Sequence, residues 1–440
     1  MKICHVLNQF LPYHTAGTEV YAWALSKQLQ QRGIEIEIII PNYGQTSSVD
    51  YMYDGLKVFQ YAEPTIVDRS LVMGFRKPDG LSAFEDHLAE ERPDIVHFHE
   101  LAGSNGIGLH HVAAAKKMGA KVMMTFHLAG YTCRTGTLIF RDEVFCDGLI
   151  DIRKCSNCYL HSRGNSAMEP LLLAASSMLY KFRINTMKWN NKMGTAVGTA
   201  FIIDGLKKNF EALVEQCDKL VVLTRWYKEI LILNGVPEEK ISYVAQGLPF
   251  DSMVPPSTAK AEARSPLRLM FLGRIDPLKG LHLLIEALRD IPEDKIELDI
   301  YGENGGSDYE REWRNKTEGS KQINWKGRLA QKDVVTTMQE YDALCVCSTF
   351  SEMSPLVIQE AFAAGIPVIA SNVYGNAEQI RHDHNGILFR YKDVASLREQ
   401  LFRCIADSSI LLQIRKNISP PRSFQQVGDD YVNIYQTLIA

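Results

Sequence analysis

Two carboxylates frame one short stretch of this 440-residue chain. Glu352 and Glu360 stand eight positions apart in SEMSPLVIQEAFAAGIPV, residues 351–368, and the apolar run between them requires no charge of its own. A carboxylate accepts hydrogen bonds from hydroxyl groups, and sugar hydroxyls fit that role. The pair is therefore a candidate site for a ligand that is rich in hydroxyl groups.

The residues between the two glutamates predict the start of a helix. Ser354 has the residue type of an N-cap, Pro355 that of the first helical position, and Gly365 that of a helix end. These signals predict a helix over about 355–364, whose free backbone N–H groups begin at Leu356. Together with the helix dipole, such N–H groups bind anions, so the stretch combines a phosphate site with carboxylates that bind hydroxyl groups.

A second loop supplies positive charge. The segment RIDPLKG places Arg274 and Lys279 around Gly273 and Gly280, directly after an apolar run. Two cations on a glycine-bounded turn can approach a diphosphate closely and clamp it. A strand-to-helix turn with two solvated charges has the same sequence, so both interpretations stay open on this motif alone.

Both loops belong to an alternation of short apolar strands and amphipathic helices, which is typical of doubly wound parallel sheets. The alternation occurs twice, on either side of PPSTAKAEARSP, residues 255–266, which has no apolar face and predicts a linker. The sequence therefore predicts an α/β protein with one domain over 1–254, a second over 267–421 and a C-terminal segment over 422–440. Ligands of such sheets bind at the carboxyl ends of the strands, where the two loops stand.

Five strands are predicted in each half. In the first half they are KICHVLN, IEIEIIIP, DIVHFHE, KVMMTFH and KLVVLT, and in the second RLMFLG, IELDIYG, INWKG, ALCVC and PVIAS. Helices such as EVYAWALSKQLQQRG, LHLLIEAL and VASLREQLFRCIA lie between them.

Composition narrows the class of protein. Lysine plus arginine number 48 and aspartate plus glutamate 52, a balance that gives no indication of a nucleic-acid partner. The nine scattered cysteines and an N-terminus without a long apolar stretch favour a reducing cytoplasm. No apolar run reaches the roughly 20 residues that cross a bilayer, so any membrane contact is expected to be peripheral.

Together these motifs resemble the retaining glycosyltransferases of family four, which have the GT-B fold. The RIDPLKG loop, followed by Glu352 and Glu360 with seven residues between them, is similar to the donor-site signature of that family. PYHTAGTEVYAWALSKQLQQRG resembles its glycine-containing loop and first helix, PDIVHFHE its third-strand block, and TFHLAGYTC its active-site histidine segment. In the second half, IYGENG, KGRL, EAFAAGIPVIAS and NGILF follow in the expected order.

The resemblance implies two Rossmann-like doubly wound domains that face each other across a cleft, with residues 422–440 crossing back to the first, acceptor-side domain. It implies a hexosyltransferase that moves a sugar, with retention, from a nucleotide-diphosphate sugar to a glycan or lipid-linked acceptor. Catalysis would need no metal ion or other cofactor. The setting implied is bacterial surface polysaccharide or glycoconjugate synthesis, in the cytoplasm or at the cytoplasmic face of the inner membrane.

The resemblance also implies roles for residues of the second, donor-side domain. Arg274 and Lys279, beside Gly273, would hold the donor diphosphate and offset the charge on the departing nucleotide. Glu360 would hydrogen-bond the ribose, and Glu352 would contact the hydroxyl groups of the transferred sugar.

Further contacts are implied at the edges of the site. The backbone over 354–356 would contact the sugar and phosphate, and Arg328 would stand at the site's rim. From the first domain, Gly17 would let its loop approach the phosphates, and His127 would touch the sugar near the anomeric carbon.

Some positions depart from the family pattern or have another interpretation. The family's aspartate after the histidine is Leu128, and its Asn-Gly pair is Gln246-Gly247. His97 and His99, at the end of DIVHFHE, have two interpretations, as catalytic residues or as buried histidines hydrogen-bonded by the backbone, and the second is favoured for His97 in particular.

Other functions remain open on the same residues. A nonenzymatic protein that binds nucleotide-sugars would bind the donor without turnover, and an epimerase or hydrolase of this fold would consume the donor without an acceptor. An NAD oxidoreductase is disfavoured because the first strand leads into NQFLPYHTAGTE and not into G-x-G-x-x-G.

Four cysteines cluster in an inserted loop predicted over 128–165. Cys155 and Cys158 form a C-x-x-C pair, and Cys133 and Cys146 precede it. Four thiolates suit a tetrahedral structural zinc site, but the gaps differ from a standard zinc-ribbon spacing, so four reduced thiols without metal remain an equal alternative.

A second inserted region, residues 167–216, is helical in period and rich in leucine and methionine. Four basic residues follow its first apolar run, namely Lys181, Arg183, Lys188 and Lys192, so the segment could rest on an anionic bilayer. A helix pair packed on the first domain would show the same period, and both interpretations can hold together.

Overall fold

The computed structural model describes residues 1–64, 71, 76–101, 106–164, 168–189, 191–249 and 265–440. The predicted linker over 255–266 lies outside the described residues, except for its last two positions. The chain divides into two compact units, one formed by residues 1–245 with 424–440 and the other by residues 246–423. Both units are α/β and built on parallel sheets, which confirms the predicted fold class.

The first unit contains ten strands in its described part: β1 (Lys2–Val6), β2 (Glu35–Tyr43), β3 (Val49–Tyr53), β4 (Leu56–Glu63), β5 (Ile95–Phe98), β6 (Lys121–Phe126), β7 (Ile139–Phe140), β8 (Val144–Phe145), β9 (Lys219–Val222) and β10 (Ile241–Tyr243). Strands β7 and β8 form a separate antiparallel hairpin. The other eight form one sheet in the order β10-β9-β6-β5-β1-β2-β4-β3, parallel except for β3. Nearly every residue of β1, β5 and β6 is buried, as strands covered on both faces require.

The described helices of the first unit, up to its C-terminal helix, are α1 (Gly17–Gln31), α2 (Leu81–Glu91), α3 (Leu109–Lys117), α4 (Ile152–His161), α5 (Glu169–Lys181), α6 (Lys192–Val197), α7 (Thr199–Gln216) and α8 (Arg225–Leu233). The inserted region predicted over 167–216 corresponds to α5, α6 and α7, with residues 167 and 190 outside the described part. None of the described helices combines the length and the hydrophobicity that crossing a bilayer requires.

The second unit has the strands β11 (Leu267–Leu272), β12 (Ile296–Tyr301), β13 (Ile323–Gly327), β14 (Ala343–Val346), β15 (Val368–Ser371) and β16 (Gly386–Phe389). Its described helices are α9 (Leu281–Leu288), α10 (Asp308–Lys316), α11 (Val334–Met338), α12 (Leu356–Ala363), α13 (Tyr374–Gln379), α14 (Val394–Ala406) and α15 (Ser409–Lys416). The strands are all parallel and lie in the order β13-β12-β11-β14-β15-β16. This is the order of dinucleotide-binding folds.

Alternation of side chains along the strands places a hydrophobic core on each face of this second sheet. In β11, Leu269 and Phe271 belong to one apolar cluster and Met270 to another. Helices α9 and α14 cover the first cluster, and α11 and α12 cover the second. The sheet is therefore rigid, and its strand ends hold the following loops in place.

The last helix, α16 (Phe424–Ile439), belongs to the first unit. Tyr431 and Tyr435 on its inner face are fully buried. The Tyr431 hydroxyl accepts a hydrogen bond from that of Tyr21 in α1 at 3.0 Å. The helix therefore forms part of the core beneath the first sheet's central histidines.

Candidate functional site

In the second unit, the candidate residues follow two neighbouring strands that diverge. Strands β11 and β14 pair directly, and the chain leaves them toward opposite edges of the sheet. Crevices at such switch points are the usual ligand sites of open α/β sheets. The RIDPLKG loop follows β11, and the loop with Glu352 follows β14, so topology brings both predicted motifs to this point.

Lys279 and Glu352 form a direct ion pair. The Lys279 Nζ donates to Glu352 Oε1 at 2.6 Å, and the Ser348 hydroxyl donates to the same oxygen at 2.7 Å. The lysine ammonium also lies 5.3 Å from the centre of the Phe350 ring. Within the described residues no hydrogen bond reaches Oε2, so that oxygen remains an acceptor for a ligand hydroxyl.

Backbone contacts between the two loops fix this pair. Gly280 has φ of +67°, and a Cβ there would lie 1.9 Å from the carbonyl oxygen of Cys347. Only glycine therefore allows the turn to pack on the end of β14. The Thr349 N–H donates to the Leu278 carbonyl at 2.7 Å, which ties one loop to the other.

A glycine that sequence reasoning missed holds the Glu352 loop from the other side. A Cβ on Gly375, in α13, would lie 2.0 Å from the Glu352 carbonyl oxygen and 2.6 Å from that of Met353. The available signal was a glycine inside a helical segment directly after the PVIAS strand. Because residue 375 is glycine, the loop that carries the Glu352 carboxylate can pack directly against α13.

The helix predicted over 355–364 is present as α12, but its cap is different. The N-cap is Pro355, with φ of −65° and ψ of 122°, and the Ser354 side chain makes no capping hydrogen bond. The prediction of Ser354 as N-cap is wrong because Pro355 keeps a non-helical ψ. In the described part of the chain, the N–H groups of Leu356 and Val357 have no acceptor, so the predicted anion-binding start of the helix is available.

Glu360 lies inside α12 and is buried. The Gln331 side-chain amide donates to its Oε1. Burial raises the pKa of Glu360 to about 7, although the Gln331 hydrogen bond opposes that shift. A ligand that donates a hydroxyl to this carboxyl favours its ionised form, so binding and ionisation are coupled.

In the described structure, the remaining predicted site residues of the second unit form no hydrogen bond or ion pair with the Lys279–Glu352 pair. Arg274 is exposed and makes no ion pair with the described residues, and a Cβ on Gly273 would meet open space. Arg328 is exposed and pairs with Glu303 at 3.0 Å. Gln246, which stands where the family has asparagine, donates to the Ser354 carbonyl at 3.4 Å and so contacts the start of α12.

The first unit has its own switch point between β1 and β5. The loop after β1 leads to Gly17, the first residue of α1, which is exposed and surrounded by open space. The Glu19 carboxylate accepts from the Ala16 N–H at 3.1 Å and pairs with His14 at 2.9 Å. This bonding fixes the glycine-containing loop at the start of the helix.

The loops after β5 and β6 bring His99 and His127 together. A hydrogen bond of 3.2 Å joins His99 Nδ1 to His127 Nε2, and the Tyr21 ring packs edge-on against His127. Burial lowers the pKa of His127 to about 3, so its imidazole is neutral at ordinary pH. Leu128, which replaces the family's aspartate, is exposed.

His97 lies beneath this pair, and its partners differ from the prediction. The Tyr435 hydroxyl lies 2.7 Å from Nδ1 and the Thr125 hydroxyl 2.7 Å from Nε2, so side chains satisfy it instead of the backbone. Ring nitrogens of His5, His97 and His99 lie within 4.8 Å of one another. Because hydroxyl groups already bind His5 and His97, this trio is a buried hydrogen-bonded cluster.

A groove of about 1300 Å³ opens beside this histidine loop in the first unit. Its apolar wall includes Leu128 and Phe201, and its cations include Arg134, Lys181 and Arg183. In the described part of the chain, Lys181 and Arg183 have no acidic partner. The groove therefore suits a ligand that has an anionic group next to an apolar group.

One side of the inserted helices packs on the first unit, as one of the two interpretations for residues 167–216 predicts, and contact with a membrane stays a prediction. Leu172 and Ser176 of α5 are buried against the unit. The outer face of α5 and the residues after it expose large apolar side chains, namely Leu171, Met178, Phe182, Ile184, Trp189 and Met193. The region is therefore packed on one side and apolar on its exposed side.

The four cysteines of the inserted loop line one small cavity. Cys133, Cys146, Cys155 and Cys158 are all free thiols. Among the described residues, no three of their sulfur atoms lie within 4.8 Å of one another, although two other groups of residues meet that distance. The cysteines therefore converge without forming a closed tetrahedron.

Comparison with family models gives two matches. Residues 258–419 match the model described as glycosyl transferases group 1, and residues 15–143 match that of glycosyltransferase family 4. Together the matches cover well over half of the chain. They include both loops of the second unit and both the glycine loop and His127 of the first.

Known proteins extend the likeness. The D-inositol 3-phosphate glycosyltransferase of Xylanimonas cellulosilytica is 29% identical over 215 residues, which are 45% of this chain and 51% of that protein. The chain thus spans about half the length of the curated relatives it matches.

Solved structures match over nearly the whole chain. Sucrose-phosphate synthase from Thermosynechococcus elongatus has a TM-score of 0.66 at 14% identity, covering 99% of this chain and 98% of its own. Anabaena HepE in complex with UDP has a TM-score of 0.63 at 14% identity, covering 99% of this chain and 100% of its own. At this identity the likeness shows a shared fold.

Proposed function

The chain belongs to the group 1 glycosyltransferases with the GT-B fold, and we propose that it transfers a sugar from a nucleotide-diphosphate sugar to a glycan or lipid-linked acceptor. The proposed reaction retains the anomeric configuration and uses no catalytic metal ion. The observation that carries the proposal is the Lys279–Glu352 pair at the β11–β14 switch point, beside the free N–H groups at the start of α12.

In this proposal Lys279 and Arg274 hold the donor diphosphate. The cations stabilise the negative charge that grows on the leaving nucleotide diphosphate as the glycosidic bond breaks. The N–H groups at Leu356 and Val357 bind a phosphate or sugar oxygen. Fixed protein cations thus supply the charge stabilisation, and the departing phosphate accepts the acceptor's proton.

The two glutamates divide the remaining donor contacts. Glu352 accepts from hydroxyl groups of the transferred sugar through Oε2, and Glu360 accepts from the ribose. Gly17 is proposed to stand beside the phosphates and His127 beside the anomeric carbon, as a neutral imidazole. Arg328 is proposed at the rim of the nucleotide site.

The proposed acceptor side is the groove of the first unit. Its cations suit the phosphate groups of a lipid-linked acceptor, and its apolar wall suits the adjoining lipid. The exposed apolar side chains around Phe182 and Trp189, with Lys181 and Arg183, support peripheral contact with an anionic membrane. We place this contact at the cytoplasmic face of the inner membrane, in keeping with nine free thiols, and in surface polysaccharide or glycoconjugate synthesis.

The test begins with donor binding. A neighbouring structure holds UDP, so UDP, UDP-sugars and other nucleotide-diphosphate sugars form the first panel for thermal stabilisation of the full chain. The stabilising donor is then incubated with and without lipid-linked acceptors, and the anomeric configuration of the product is read by NMR. Transfer with retention supports the proposal.

Each alternative gives a different result in the same experiment. Donor consumption without an acceptor indicates a hydrolase or epimerase, and binding without turnover across the acceptor panel indicates a binding protein. Inversion of configuration contradicts the proposed stereochemistry. The matched control is Lys279→Ala, which should lose donor stabilisation if the assigned site is the donor site.

A further inference from the structure

Four thiols that the proposed reaction does not use converge on one cavity in the first unit. Cys133, Cys146, Cys155 and Cys158 line it together, with Lys154 at its edge. The five other cysteines of the chain are buried singly or in the cores of the two units. The grouping is therefore a feature of the inserted loop and not of cysteine content in general.

The four cysteines come from two neighbouring elements. Cys133 follows a short helical turn, and its N–H donates to the Ala129 carbonyl at 3.1 Å. Cys146 directly follows β8, and its N–H donates to the Leu138 carbonyl at 2.9 Å, which closes the β7–β8 hairpin. The hairpin thus presents one thiol at its entrance and one at its exit.

The other two thiols stand at the start of α4. Asp151 caps this helix by accepting from the Lys154 N–H, and Cys155 and Cys158 follow one turn apart. Residues three apart on a helix point to the same side. A pair of thiols on the hairpin and a pair on α4 thus face one cavity, and a four-thiolate metal site is commonly built from two such pairs.

The sulfur atoms have weak protein partners in this arrangement. Cys155 Sγ lies 3.8 Å from the Leu149 carbonyl, and Cys133 Sγ lies 3.2 Å from the Thr135 hydroxyl. Cys158 Sγ accepts from the backbone N–H of Arg141 at 3.3 Å. A backbone N–H directed at sulfur stabilises a thiolate, and outer contacts of this kind orient metal ligands.

The hairpin is short and has an irregular backbone. Strands β7 and β8 have two residues each, and Leu138, Arg141 and Asp142 all adopt positive φ, between 52° and 62°. Side chains anchor both ends of the loop. Asn234, which directly follows α8, binds the backbone of Gly148 and Ile150, and Arg141 in the hairpin turn binds Asn157 of α4 at 2.7 Å and pairs with Glu169 of α5. A metal ion bound by the cysteines would add a second link between the hairpin and α4.

We propose that Cys133, Cys146, Cys155 and Cys158 bind one structural zinc ion as four thiolates. Tetrahedral four-thiolate ligation selects zinc or an iron–sulfur cluster among biological metals, and the single small cavity fits one ion. Since no three of these sulfur atoms yet lie within 4.8 Å of one another, binding draws the hairpin toward α4 and releases the thiol protons.

The zinc site has a consequence for the groove. Arg134, next to the first ligand, lines both the cysteine cavity and the groove proposed for the acceptor. Its guanidinium stacks over the Tyr159 ring of α4 at 5.8 Å. Closing the hairpin onto α4 therefore fixes one cation of the groove wall, while the donor residues lie in the other unit.

The test measures metal in the full chain, purified without chelators, by elemental analysis. We expect about one zinc per chain, and loss of it in Cys155→Ser and Cys158→Ser. Cys404→Ala, which removes a thiol from the second unit, is the matched control and should keep the zinc. Binding of UDP should be the same in the zinc-free and zinc-loaded forms, which separates this proposal from the donor assignment.

A second measurement on the wild-type chain avoids dependence on the variants' folding. A mercurial reagent that modifies thiols is added in steps, and a zinc-binding dye measures the zinc released. One zinc ion should be released as four thiolates are modified. Absence of zinc from freshly purified protein, two disulfides among these cysteines, or bound iron with visible absorption would each overturn the proposal.

Discussion

Burial of Glu360 predicts a pH dependence of stability. The pKa of this carboxyl in the folded chain is about 7, against an ordinary value of 4.5. Between these values the folded state holds the proton and the unfolded state does not. The free energy of unfolding should therefore fall as pH rises from about 4.5 to about 7, and then level off.

The size of the effect follows from the two pKa values. For one carboxyl with values of 4.5 and about 7, the loss of stability between pH 5 and pH 8 is about 2–3 kcal/mol. Glu360→Gln removes the titration and keeps an oxygen that can accept from Gln331. The stability of the variant relative to wild type should therefore be higher at pH 8 than at pH 5, by about 2–3 kcal/mol.

The assay is urea denaturation of wild type and Glu360→Gln at pH 5 and pH 8. The quantity compared is the difference in free energy of unfolding between the two proteins at each pH. Glu399→Gln is the matched control, because Glu399 is exposed on α14 of the same unit. Its difference from wild type should be independent of pH. If Glu360→Gln also tracks wild type at both pH values, the carboxyl ionises normally and the argument from burial is refuted.

Three further outcomes follow from the contacts described. Glu352→Gln should lower the maximal rate about 10²-fold or more and leave binding of the nucleoside diphosphate of the stabilising donor at least as strong as in wild type, measured by donor titration of turnover and by calorimetry. Gly375→Ala should destabilise the second unit by about 1–3 kcal/mol because its Cβ meets the Glu352 carbonyl, whereas Gly205→Ala, in open space on α7, should not; urea denaturation compares them. Phe182→Asp should reduce sedimentation with anionic liposomes, and wild-type binding should weaken as salt rises; equal binding to neutral vesicles would contradict membrane docking.

Local signals were strong enough to predict several elements from the sequence. Helices Leu281–Leu288 and Val394–Ala406 begin and end as predicted, because their apolar period is regular and their starts are marked. The Asp393 carboxylate caps the second of them by accepting from the Ser396 N–H at 2.8 Å. The ten predicted strands are all present, since buried parallel strands have continuous apolar runs.

The edge of the first sheet was missed. Strands β3 and β4 form an antiparallel hairpin around Asp54 and Gly55. β3 is largely exposed, and β4 mixes apolar with polar residues, so neither has a clear apolar run. The Asp-Gly pair between alternating residues was the available signal. Contacts between distant loops, such as those of Gly375 and of Lys279 with Glu352, depend on strand order, which short motifs do not specify.

In the proposed donor site, the ion pair gives Lys279 two competing acceptors once a donor is bound. In the structure Glu352 Oε1 accepts a hydrogen bond from the Lys279 ammonium and a second one from the Ser348 hydroxyl. A diphosphate must therefore share or displace that contact, which weakens ground-state binding. As the glycosidic bond breaks, charge grows on the departing phosphate and draws Lys279 more strongly, so the competition favours the transition state over bound donor. Glu352→Gln removes the competing charge, which is why the nucleoside diphosphate should bind the variant no more weakly while turnover falls. A variant that lost nucleotide affinity and turnover together would mean that Glu352 supports the phosphate site and not the sugar.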